Sequence, residues 1–292
     1  MGFNITGYST ALFSTWYFIE ELGILFDAGE GVTSGLLQKS RKIKHILISH
    51  ADRDHLTGLL QLNQLNAREG FPVVYYPEDC GSFPALEKFS KKFDTHVKGT
   101  LWKPITETSV IKIKNDILIE SIRNNHIEAP DNMAKSLSYK VVKTKRKLKE
   151  EYKNLPGREI KKLIEEKGNE KVTKEIRTNV LGYSGDTPVE DYYRWDNTDI
   201  LIHEATFLDE NNQREVNSRG NKHSTLEEVI RMVSEINIQK LILGHFSSRY
   251  SAEQIDTHIR KLCDKYAINI PVYRLLPGEI KRDILNGVSI NK

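Results

Sequence analysis

The chain has 292 residues, 38% hydrophobic and 28% charged, enough to bury a sizeable core in one large α/β domain or two small ones. No uncharged apolar stretch of about 18 residues occurs, which excludes a transmembrane helix, and the first residues carry no basic leader of a signal peptide. Net charge is only +3 and the two cysteines, Cys80 and Cys263, stand alone, so a disulfide framework is not expected and a reducing, cytoplasmic location fits.

In chain order, WYFIEELGILFD (16–27) reads as a hairpin and ends in the turn-like FDAGEG (26–31). HILISH (45–50) is a short buried strand ending at His50, and a helical pattern, LTGLLQLNQLNARE, follows at 56–69. A second helix is expected over FPALEKFSKKF (83–93), and a second hairpin over VIKIKNDILIES (110–121), whose last strand runs on to His126. NVLGYSGD (179–186), DILIHE (199–204) and KLILGH (240–245) are further strands, ending at Asp186, at His203 and Glu204, and at His245. Helices over 225–236 and 251–266 open with capping-box spacing, Thr225 with Glu228 and Ser251 with Gln254. Hairpins early and strand–helix alternation late predict an α/β (α+β) domain spanning 1–292.

Residues 143–178 break this pattern. They are densely charged, poor in large apolar side chains and punctuated by Pro156-Gly157, and read as an inserted arm with a short helix after Pro156. Lys135–Thr178 holds 15 Lys and Arg against 7 Asp and Glu, a surplus of eight, and leaves the rest of the chain at −5. A basic segment on an acidic body is a candidate contact for a phosphate backbone. Composition alone fits a solvated mixed-charge helix equally well.

HADRDH, residues 50–55, packs four potential metal ligands into six positions. Aspartate and histidine crowded at a strand end repel or desolvate one another unless a cation lies between them. His50 and Asp52 can share one ion, and Asp54 and His55 a second. His126, Asp186 and His245 are the strand-end residues available to complete the shells: His126 with the first pair, His245 with the second, and Asp186 between them, because a carboxylate can bridge two cations about 3.5–4 Å apart. Nitrogen and oxygen donors suit Zn²⁺, and Mn²⁺ or Fe²⁺ as well. Asp27 and Glu30 either orient a ligating imidazole or serve turn chemistry. His203 faces away from this cluster by strand alternation, and His96 and His258 are expected to be ordinary surface or packing histidines.

HADRDH resembles the HxHxDH signature of the metallo-β-lactamase fold, with Asp52 in the second histidine's place. FDAGEG, YSGDT (183–187), HEATF (203–207), HST (223–225) and LGHFSSRY (243–250) follow in the order found in ribonuclease Z, the tRNA 3′-processing endonuclease. The resemblance implies a four-layer αββα sandwich, two zinc ions, a homodimer, and phosphodiester hydrolysis by hydroxide generated from metal-bound water. It further implies that His223 and Glu204 form a proton-transfer pair, and that the basic insertion grips RNA. Asp54, His223 and Glu204 are thus the candidate catalytic residues. Arg249, Lys145, Arg146 and Lys147 are the candidate substrate contacts. Asp52 adds a negative charge and a harder donor, which predicts a less acidic water and better tolerance of Mn²⁺. Three functions remain open at this level: an RNA endonuclease acting on a tRNA precursor, a hydrolase of a small phosphodiester or other ester, and a metal-containing nucleic-acid-binding protein with little turnover.

Overall fold

The computed structural model describes residues 2–93, 99–209, 213 and 220–291; His96 lies outside them. Two sheets stack face to face. The first has the order β1 (Ile5–Thr10), β2 (Ser14–Ile19), β3 (Ile24–Phe26), β4 (His45–Leu47), β5 (Val73–Pro77), β6 (Leu101–Ile105). The second contains β7 (Val110–Lys114), β8 (Ile117–Arg123), β9 (Leu137–Leu148), β10 (Thr173–Tyr183), β11 (Thr198–Glu204), β12 (Ile238–Gly244) and β13 (Val272–Arg274), neighbours in that order. Antiparallel pairing through β1–β3 and β7–β10 gives way to parallel pairing over β3–β6 and β10–β13. The early hairpins and late alternation of the sequence map onto this change.

The central strands are apolar at nearly every position because both faces are covered. In β3, Ile24 and Phe26 face the inter-sheet core with Leu47, Val141, Leu181 and Ile242, while Leu25 points outward. The helices Val32–Leu36, Leu59–Asn66 and Ser82–Phe93 cover that outer face through Val32, Leu36, Leu59, Leu62 and Phe83. Helices Leu226–Glu235 and Ala252–Lys265 cover the second sheet. The result is an αββα sandwich. Both capping boxes form, with Thr225 and Ser251 accepting from the backbone N–H of Glu228 and Gln254. No helix among the described residues is long and apolar enough to cross a membrane, and both cysteines are free and buried.

The charged segment is more regular than its composition suggests. Its ends are strand, since β9 and β10 run beyond the sheet as an antiparallel ribbon, and helices Gly157–Lys167 and Asn169–Val172 lie between them. Solvent bathes both faces of that ribbon, so no apolar alternation marks it in the sequence. Leu148, Leu155, Ile160, Leu163 and Ile164 are all half-buried.

His45, at the start of β4, is buried between Tyr75, on which it stacks, and Phe71; its Nδ1 has no partner. Burial pushes its pKa down to about 4, helped by Lys44 and Lys103. The unfolded chain therefore binds this proton at higher pH than the folded one. Stability falls as pH drops from about 6.5 towards about 4, by up to about 3 kcal/mol from this group. His45→Phe keeps the stack and removes the charge. Urea midpoints of metal-free protein at pH 7 and pH 4.5 should differ less for the variant than for the parent; an equal fall in both would rule His45 out as the cause.

Candidate metal centre

Strand direction builds the site. β8 and β10 both run antiparallel to β9, so they are parallel to each other and to β11 and β12. Their C-terminal ends deliver His126, Asp186, Glu204 and His245 to one rim, where irregular backbone can bend side chains into a common space. From the facing sheet, β4 delivers His50, and the one-turn helix Arg53–Leu56 brings Asp54 and His55. That turn lies against the Asp27–Gly29 loop: Ala28 N–H donates to the His55 carbonyl and Gly58 N–H to the Ala28 carbonyl. A Cβ on Gly58 would stand 2.2 Å from the Gly29 carbonyl oxygen, so only glycine permits this approach. His245 has φ 61°, a strained conformation for a non-glycine residue, and its N–H is fixed by Ser9 Oγ at 2.8 Å.

Seven side chains converge here. Asp52 Oδ2 is 3.6 Å from Nε2 of both His50 and His126. Asp54 Oδ2 is 3.5 Å from His55 Nε2 and 3.4 Å from His245 Nε2. Asp186 Oδ2 lies between the two groups, 3.7 Å from His50 Nε2 and 3.2 Å from Nε2 of both His55 and His245. The seven candidate ligands read from HADRDH and the three strand ends thus lie together on the rim.

Hydrogen bonds fix the tautomer of all four imidazoles. His55 Nδ1 donates to Asp27 at 2.7 Å and His126 Nδ1 to the Lys222 carbonyl at 2.8 Å. His50 Nδ1 donates to Ser49 Oγ, whose own proton goes to Asp27; His245 Nδ1 donates to Thr206 Oγ1, whose proton goes to Glu204. Each Nε2 is left with a lone pair facing a carboxylate. Those of His50, His55 and His126 are buried with no hydrogen-bond partner. Each such orphan costs roughly 1–3 kcal/mol, and divalent ions held between these nitrogens and the carboxylates would relieve it.

The electrostatics of the cluster pull in two directions: burial works to lower the His55 pKa, but Asp186, Asp27 and Asp54 overcome it and hold that imidazole well above its ordinary value, the charge an ion between these carboxylates would replace. Burial works to raise the Asp186 pKa, but His245 and His55 overcome it and hold the carboxyl well below its ordinary range. Burial likewise opposes ionisation of Asp54, and His55 and His245 bring it down to about 2. His50 is pushed down by burial and by its neighbours His55 and His126, which keeps it neutral, as a ligand must be.

Asp27 is wholly buried and accepts from His55, from the N–H and hydroxyl of Ser49 and from Tyr183, so it orients ligands. Glu30 is exposed and belongs to the turn instead. His203 bonds through Nδ1 to the Glu204 carbonyl, away from the cluster, and His258 is exposed. His223 Nδ1 is 3.1 Å from Glu204 Oε1, which also accepts from Thr187 N–H. Burial lowers the His223 pKa, but Glu204 outweighs it and raises it to about 9. Asn221, Thr206, Ser49 and the Leu12 N–H, which donates to Asp54, were not singled out by the sequence. Thr206 at least lay within HEATF, whereas nothing in the pattern marks Asn221.

A cavity of about 160 Å³ opens over the cluster, with Asp186, His223 and His245 at its base and Leu12, Phe207 and Arg249 on its walls. Arg249 is braced by Ser247 Oγ at 3.0 Å and lies over the Phe207 ring. On the distant β9–β10 ribbon, strand register places Lys143, Lys145 and Lys147 on one face, opposite Thr178, Ile176 and Lys174. Arg146 occupies the other face from Lys145 and Lys147 and pairs with Glu170 at 3.2 Å.

Residues 23–148 match the Beta-lactamase superfamily domain. The chain is 32% identical to ribonuclease Z of Methanocaldococcus jannaschii, over 89% of each chain. It is 26% identical to a chloroplastic tRNase Z of Arabidopsis thaliana, over 92% of this chain and 74% of the relative. Among solved structures, human short-form tRNase Z superposes with a TM-score of 0.61 at 18% identity, covering 95% of this chain and 98% of that one, and bears on fold alone. The αββα sandwich, the buried histidine–aspartate cluster on its rim and the 32% identity lead to one conclusion: this chain belongs to the ribonuclease Z family of metal-dependent hydrolases.

Proposed function

We propose that the protein is an endoribonuclease that cuts tRNA precursors at their 3′ ends, with one ion held by His50, Asp52 and His126, a second by Asp54, His55 and His245, and Asp186 shared. Ions bound there would supply positive charge for the phosphoryl oxygens and acidify water to a usable nucleophile. The chain's own residues do the rest. Asp54 and Asp186 would hold the ions in place, Arg249 contacts a phosphoryl oxygen, and His223, held by Glu204, gives a proton to the departing ribose oxygen.

The lysine face of the β9–β10 ribbon carries the RNA reading. Alternate residues of a strand lie roughly 7 Å apart on one side, so Lys143, Lys145 and Lys147 form a row, and none makes an ion pair among the described residues. The cavity supports it too: at about 160 Å³ it is smaller than pockets of roughly 300–1,000 Å³ that bury a whole small ligand. One phosphate of a larger substrate suits it better than an entire small molecule.

The test is cleavage of a 3′-extended tRNA beside a small chromogenic phosphodiester. Lys145→Glu with Lys147→Glu should slow only the tRNA reaction and reduce its salt dependence by about one unit of log–log slope per lost phosphate contact. Arg146→Glu should do much less. Equal loss on both substrates, or none on either, would reject the ribbon's role. Turnover of the diester without any tRNA cleavage would point to a small-molecule hydrolase.

A further inference from the structure

The two halves of the cluster match more closely than the sequence signature suggests. One position faces Nε2 of His50 and His126 with the Asp52 carboxylate; the other faces Nε2 of His55 and His245 with the Asp54 carboxylate. Asp186 serves both. Each position is thus offered two imidazole nitrogens, one carboxylate of its own and one shared. The likeness extends outward. Asp54 Oδ2 accepts the Leu12 N–H at 3.0 Å, and Asp52 Oδ2 accepts Asn221 Nδ2 at 2.9 Å. The Asp52 side chain is 41% exposed, so without that bond little would hold it on the imidazole pair. Asn221 is itself placed by the strand-like contact that joins 126–127 to 221–222, where Lys222 N–H donates to the His126 carbonyl and His126 Nδ1 to the Lys222 carbonyl.

We propose that Asp52, positioned by Asn221, equalises the two metal positions, so that the chain takes up two ions of one kind with similar affinity and Mn²⁺ fills both. A carboxylate is a harder donor than imidazole and suits Mn²⁺. Three carboxylates set against two divalent ions leave a single positive charge, one less than a third imidazole would leave. An imidazole at position 52 would bias the first position towards Zn²⁺ and leave only the second suited to Mn²⁺. The inference rests on the reading of the cluster as a two-ion site, and the experiment separates the two.

Metal-free protein is titrated with Mn²⁺ while free Mn²⁺ is followed by electron paramagnetic resonance and bound metal by elemental analysis; Zn²⁺ is titrated in parallel. The parent is expected to bind two Mn²⁺ per chain with dissociation constants within about tenfold of each other, and to show the spin coupling of neighbouring ions. Asp52→His should weaken one Mn²⁺ by at least about tenfold without weakening Zn²⁺. Asp52→Asn, which is isosteric, gives the same one-site Mn²⁺ loss if the histidine variant folds poorly. Asn221→Ala should weaken the same single site by about 10–100-fold and diminish the spin coupling, with the unfolding midpoint in chelator unchanged. Two ions in the parent with unaltered Mn²⁺ binding in both Asp52 variants would overturn the proposal and leave the two-ion site standing. Uptake of only one Mn²⁺ by a parent that binds two Zn²⁺ would do the same. No binding of either metal would overturn both, and an Asn221→Ala protein indistinguishable from the parent would remove Asn221 from the account.

Discussion

Asp186→Asn is expected to cut turnover at least about a thousandfold while leaving the protein folded. One oxygen of Asp186 lies within 3.2–3.7 Å of Nε2 of His50, His55 and His245, so a single carboxylate faces both halves of the cluster. An amide has the same shape but no charge, and its N–H₂ is a donor where a cation is meant to sit. The loss should therefore appear first as metal: fewer than two ions per chain by elemental analysis, on the small chromogenic substrate and on RNA alike. The fold should survive, because the strand ends are held by the inter-sheet core and by bonds such as Asn124 Nδ2 and Ser138 Oγ to the Ser184 carbonyl, none of which uses the Asp186 side chain. A variant that retained two ions and a tenth of the parent rate would remove Asp186 from the centre of the mechanism.

His223→Ala should produce a loss that depends on the leaving group. Expelling a ribose oxygen needs a proton, and a positioned acid contributes about 10²–10⁴-fold. Expelling a nitrophenolate does not. Cleavage of RNA should fall by that range, while hydrolysis of a nitrophenyl phosphodiester stays close to the parent rate. Glu204 accepts from His223 at 3.1 Å and also from Thr187 and Thr206, so it is held rigidly enough to keep the imidazole in place. Glu204→Gln should reproduce much of the effect, and the double variant should be little worse than His223→Ala, because the two act as a unit. Equal losses on both substrates would mean that His223 shapes the site and moves no proton.

The histidine–aspartate cluster was legible in the sequence because its residues are bound to strand geometry. HILISH, NVLGYSGD and KLILGH each announce a buried strand, and a polar residue at the end of a buried strand has few reasons to be there beyond chemistry. The capping boxes and both hairpins were readable for a similar reason: their physics lies within a few residues of chain. Asn221 could not be found this way. It reaches Asp52 across 169 residues through one side-chain bond, and no local pattern encodes such a contact. The split between Asp27, which orients His55, and Glu30, which faces solvent, was equally invisible, since both occupy the same Gly-rich turn.

Arg146 illustrates the limit most directly. Composition counts it with Lys145 and Lys147, yet adjacent residues of a strand point to opposite sides, and register with β10 sets Arg146 towards Glu170. By itself the sequence determined the two hairpins, the strands that end at His50, Asp186, Glu204 and His245, and the seven side chains that gather on the rim, because hydrophobic period and strand-end chemistry are local properties; the αββα class came from the family resemblance. Only the tertiary structure decided which nitrogen of each imidazole faces inward, what holds Asp52 in place, and on which side of the ribbon Lys143, Lys145 and Lys147 stand. Those depend on partners distant in the chain, and they are settled when the sheets stack and bring one strand's end against another's.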